Sequence, residues 1–120
     1  MIGTLAQRLR SSLLALIRPH VAASMVSIHG TPAAVRHVVR DCAIEDMTFD
    51  SPSGFSFMGI PVVQERLEGD DDDRIWICFN RRRVVVIELN ALPNVSDQCP
   101  DAQRAFVTEA LSRVLPRVQS

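Results

Sequence analysis

RIWICFNRRRVVVIEL, residues 74–89, decides the fold class. Residues 74–79 and 84–89 read as two strands, rich in β-branched and aromatic side chains. Asn80-Arg81-Arg82-Arg83 connects them as a hairpin turn. Both strands are nearly continuously apolar, so much of both faces must be covered. Helices of the same chain or a neighbouring subunit could supply that cover.

Upstream, Gly69-Asp70-Asp71-Asp72-Asp73 must be solvated, because four adjacent carboxylates cannot be buried without compensation. Such an acidic loop keeps a sheet edge soluble. Met47-Thr48-Phe49 reads as a short strand and Ser51-Pro52-Ser53-Gly54 as a turn. Phe55–Met58 and Ile60–Val63 follow as strands. Gly59 between them suggests a bulge or a close backbone approach. Pro61 argues for an edge position or an interrupted ladder.

The flanks are helical. Leu5, Leu9, Leu13, Leu16 and Ile17 recur at three- and four-residue spacing, which predicts a helix over 4–17. Thr4 suits its N-cap and Pro19 its stop. The stripe of Leu9, Leu13 and Leu16 suits a core face or an intermolecular contact. Residues 21–28 are ambiguous and lean to a short strand, on Val26 and Ile28. Thr31 and Pro32 open a helix over 32–43, with Ala34, Val35, Val38, Val39 and Cys42 on one face. Leu92-Pro93-Asn94 is a loop. Cys99-Pro100 opens a final helix to about 114, and Pro116 follows it. The expected fold class is α+β: a small, mainly antiparallel sheet over residues 47–90, with N-terminal helices and a C-terminal helix packed on it. One domain spans 1–120.

Charge is segregated along the chain. Residues 1–40 hold five arginines and no acid, residues 41–73 ten acids and one arginine, and residues 74–120 seven arginines and four acids. Opposite patches either meet within the fold or mark an oriented docking surface. The three cysteines, Cys42, Cys78 and Cys99, are odd in number and widely spaced, which suits a reducing compartment better than a disulfide framework. No apolar stretch is long enough for a membrane span. The apolar run Leu13–Ile17 is cut by Arg18 and Pro19 and does not read as a signal peptide. The expected location is cytoplasmic or virion-associated.

Chemistry is thinly marked. His20, His29, His37 and the cysteines show no paired metal-ligand spacing. Of the cysteines, Cys78 reads as buried, Cys42 as sited at a helix C-terminus, and Cys99 as the most exposed, near a helix start that would lower its pKa. His29-Gly30-Thr31-Pro32 reads as a capped helix start, since it lacks the glycines of a phosphate loop. No catalytic residue, metal or cofactor is expected. Arg81, Arg82 and Arg83 can clamp phosphates or carboxylates. Nucleic acid is the weaker partner: aromatics are 5% of residues, tyrosine is absent and the pI is about 6.3.

One segment resembles a known group. Phe57-Met58-Gly59-Ile60-Pro61-Val62-Val63, followed by the acidic turn and the strand Ile75–Phe79, resembles a strand-turn pattern in small tailed-bacteriophage proteins. It is also similar to a Gly-Ile/Val-Pro-Val-Val strand near the end of some capsid proteins of the large tailed-phage class. The resemblance covers residues 55–79 and implies a virion or accessory component acting by contact. The expected function is a non-enzymatic protein–protein interaction protein, which the resemblance would place among bacteriophage structural or assembly components. Its contacts would be Arg81, Arg82, Arg83, the aspartates Asp70, Asp71, Asp72 and Asp73, and the stripe Leu9, Leu13, Leu16. Its partners would be other protein subunits, of its own kind or another. The alternative is a small regulatory or inhibitory binding module acting on a host protein or a nucleic-acid complex.

Overall fold

The computed structural model describes residues 3–51, 54–65 and 73–114. Helix α1 runs Leu5–His20, strand β1 Val26–Gly30 and helix α2 Pro32–Asp41. Strands β2 (Met47–Ser51), β3 (Gly54–Phe57), β4 (Ile60–Gln64), β5 (Arg74–Phe79), β6 (Arg82–Glu88) and β7 (Asn94–Val95) follow, and helix α3 is Asp101–Ser112.

The strands form one sheet in the order β2-β3-β4-β1-β5-β6-β7. Its pairings are antiparallel except β1 with β4, which run parallel. The α+β class holds, with a sheet that is mainly antiparallel. The sheet also reaches beyond residues 47–90 at both ends, because β1 is inserted near its middle and β7 is added at one edge. The ambiguous stretch 21–28 contributes the start of β1, which begins at Val26 and includes His29 and Gly30.

Local signals explain the helix starts. Thr4 Oγ1 accepts from Gln7 N–H at 3.1 Å, while Gln7 Oε1 accepts from Thr4 N–H at 2.8 Å, a reciprocal capping box. Thr31 caps α2 through Ala34 N–H, and Pro32 holds its first turn. Pro19 lies within α1 rather than past its end. Core packing of Leu13 and Leu16 supports the turn that the proline weakens.

Two turns differ from expectation. Gly59 is no bulge: Met58 and Gly59 have φ of 54° and 79° and form a tight turn between β3 and β4. The β5–β6 connection is Asn80-Arg81, with φ of 49° and 70°, so Arg82 and Arg83 already belong to β6. The bulge of this hairpin falls instead at the Ile77/Cys78 step, which pairs with Val85 and Arg83. Pro61 sits on an interior strand. It faces Ser56 of β3, and the β1 ladder begins one residue later at Val62, so the missing N–H falls just outside the β1–β4 register.

One face of the sheet meets the helices. Val26, Ile28, Ile75, Ile77, Phe79, Val85 and Ile87 join Leu5, Leu9, Leu13 and Leu16 of α1, Val35 and Val38 of α2, and Val107 and Leu111 of α3 in one core. Leu9, Leu13 and Leu16 are each 0% exposed, so of the two readings the core face holds and the contact reading is corrected: their stripe is spent on the sheet. Gly30 lets α2 approach β1, since a Cβ there would meet Val35 Cγ2 at 3.1 Å and Ile75 Cγ1 at 3.2 Å. Phe79 and Phe106 stack with centroids 6.2 Å apart and help seat α3. Among the described residues, no helix is long and apolar enough to cross a membrane.

Candidate functional site

Alternation along a strand sends successive side chains to opposite faces. With Val26, Ile28 and Gly30 toward the helices, Ser27 and His29 point to the other face. The same reasoning puts Trp76 and Cys78 there, since Ile75, Ile77 and Phe79 join the core. The register sets Ser27 opposite Cys78 and His29 opposite Trp76, and Cys78 in turn opposite Arg83. Glu65 follows β4 directly, and its N–H donates to Gly30 O at 2.8 Å, which extends the parallel pairing by one residue.

These positions assemble a polar chain. Ser27 Oγ lies 3.0 Å from His29 Nε2, and His29 Nδ1 lies 2.6 Å from Glu65 Oε1. Arg83 Nη2 donates to Glu65 Oε2 at 2.7 Å. The Arg83 guanidinium also lies over the Trp76 ring, 3.9 Å from its centroid, in cation–π geometry. Partial burial pushes the Glu65 carboxyl up, but hydrogen bonds and charge from His29 and Arg83 outweigh it and hold the group below the usual carboxylate range. With the carboxylate accepting from Nδ1–H, a neutral imidazole leaves Nε2 free to accept the Ser27 hydroxyl proton.

The expected contact residues separate. Arg81 and Arg82 are exposed at the hairpin, whereas Arg83 is half-buried and engaged by Glu65 and Trp76. Asp73 is half-buried and lies 3.2 Å from His37 Nε2. Asp70, Asp71 and Asp72 lie outside the described residues. Leu9, Leu13 and Leu16 are on the far side of the sheet, in the core.

The segregated charges meet partly within the chain. Arg10 pairs with Asp46 at 3.2 Å and Arg83 with Glu65 at 2.7 Å, each joining a basic stretch to the acidic one. Arg8 is only 6% exposed and is held by the carbonyls of Glu88, Leu89 and Ala91. Burial lowers its pKa.

Burial disfavours the thiolate at each of the three cysteines. Cys99 is buried at 4% exposure, not the most exposed of the three, and burial raises its pKa despite Arg104 nearby. Burial pushes Cys78 up to about 11, and Cys42 is raised by the same cause. Cys42 instead borders a cavity of about 440 Å³ between α1 and the α2–β2 connection, where Arg10, Asp41, Glu45 and Asp46 also lie. Among the described residues, no three His, Cys, Asp or Glu side chains are grouped to hold a metal ion.

Sequence reasoning missed the polar chain. Ser27 and His29 are two residues apart, and alternation along a strand would have put them on one face. Glu65 is 36 residues from His29, and only the parallel β1–β4 pairing brings it near. Compared with protein-family models, curated proteins and solved structures, the chain has no significant match.

Proposed function

We propose that this chain is a non-enzymatic protein–protein interaction domain that associates with a second copy of itself. The β5–β6 hairpin tip of one copy would meet Asp70, Asp71 and Asp72 of the acidic run of the other. The observation carrying this reading is the division of labour among the arginines. Arg8, Arg10, Arg83 and Arg104 bind groups of their own chain, while Arg81 and Arg82 stand exposed at the tip of a tight turn. Arginine forks suit carboxylates in a bidentate fashion, and the acidic run supplies carboxylates in sequence. The setting we favour is a bacteriophage virion or assembly component, on the resemblance carried by Phe57–Val63.

Light scattering after size exclusion, with absorbance at 260 and 280 nm, tests the reading. The wild type should be an oligomer free of nucleic acid. The double variant Arg81→Glu, Arg82→Glu and the triple variant Asp70→Asn, Asp71→Asn, Asp72→Asn should each be monomeric, with unchanged circular dichroism. A monomeric wild type overturns self-association. Salt-sensitive nucleic-acid binding by that monomer would instead support a regulatory binding module.

A further inference from the structure

The face of the sheet away from the helices holds a hydroxyl, an imidazole and a carboxylate in series. Their spacings, 3.0 Å from Ser27 Oγ to His29 Nε2 and 2.6 Å from His29 Nδ1 to Glu65 Oε1, lie in the range of an activated nucleophile. The third group orients the second, as a base needs. Arg83 pins the other carboxylate oxygen at 2.7 Å, and its packing over Trp76 limits the motion of that pin. Ser27 is half-buried, not sealed in the core as Val26 and Ile28 beside it are.

From this geometry we infer that Ser27 is a covalent acceptor site for activated acyl or phosphonyl donors, with His29 as its general base and Glu65 as the positioning residue. The Ser27 Oγ–H proton passes to His29 Nε2 as Oγ bonds to the electrophilic carbon or phosphorus. The bond to the leaving group breaks, and that group departs with its electron pair. His29 Nε2 then returns the proton to it or to solvent. No oxidant or reductant is required.

The position of Ser27 restricts turnover. It is carried within a strand paired to β5 and adjoining β4, not on a strand-to-helix turn that would present free backbone N–H groups to an oxyanion. Attachment is therefore expected to be stoichiometric, with slow release. The charged and titratable neighbours that set its pH dependence are Glu65 after β4, Cys78 on β5 and Arg83 on β6.

The test is incubation of the full chain with a fluorophosphonate and with p-nitrophenyl acetate, read by intact mass and peptide mapping. One adduct per chain should map to Ser27, and Ser27→Ala should abolish it. His29→Ala should slow labelling roughly a hundredfold, the scale of general-base assistance. Absence of a Ser27 adduct in the wild type overturns the inference, as does undiminished labelling in a folded His29→Ala chain. Should that variant not fold, the wild-type pH profile decides. A rate that rises through one ionisation between about pH 5 and 8 supports the base, and a rate merely proportional to hydroxide overturns it. Glu65→Gln should lower the rate and displace that ionisation, which loss of a purely structural contact would not do.

Discussion

Arg8 places a full positive charge at the edge of an apolar core, with three backbone carbonyls as its partners. Those carbonyls belong to the end of β6 and the turn after it, so one side chain of α1 fastens the hairpin region to the helix layer. Methionine at this position would match much of the volume and lose every donor. Hydrogen bonds to a charged group each contribute about 1.5–3 kcal/mol, and solvent can replace part of that at a half-exposed turn. Arg8→Met should therefore lower stability by about 2–4 kcal/mol, measured as a drop in the urea midpoint with an unchanged slope. A loss below about 0.5 kcal/mol would show that water serves those carbonyls as well as the guanidinium does. The periodicity of Leu5, Leu9 and Leu13 hid this role, because an arginine beside an apolar stripe reads as its solvated flank.

The β5–β6 hairpin is the element most plainly written in the sequence, yet its turn is shorter than its basic run suggests. Asn80 suits a positive φ, but Arg81 at φ 70° bears the cost of a Cβ in the left-handed region. Asn-Gly is the favoured pair for such a turn. Arg81→Gly should raise stability by about 0.5–1 kcal/mol, visible as a higher melting temperature. If the hairpin tip is the contact, the same variant should weaken oligomerisation while stabilising the fold, so the two effects separate in one protein. A lower melting temperature would mean that the arginine side chain contributes more than its backbone costs.

At the scale of the molecule, the cluster on the face away from α1, α2 and α3 ties four strands: β1 through Ser27 and His29, the end of β4 through Glu65, β5 through Trp76 and β6 through Arg83. Its pH dependence has a definite sign. Glu65 has a native pKa below its usual value, so its contribution is complete above the unfolded value of about 4.3 and is lost as pH falls through the lower native one. The stability gap between wild type and Glu65→Gln should close as pH falls from about 4.3 through the lower native value. Denaturant titrations across that range check this, and a gap that persists at about pH 2 would show that Glu65 acts through packing and not through its charge.

Local chemistry in the sequence was enough to determine the helix starts at Thr4 and Thr31, the strands over 74–79, 55–57 and 60–63, and the α+β class. Each depends on residues a few positions apart, through capping, alternation or turn formation. The tertiary structure alone decided where β1 lies. A five-residue strand of mixed character became central because β4 and β5 both pair with it. That choice brought Glu65 to His29, while the two-residue turn at Asn80-Arg81 placed Arg83 within β6. Sequence distance conceals such neighbours, since long-range pairing is selected by the burial of the whole apolar face and not by any one segment.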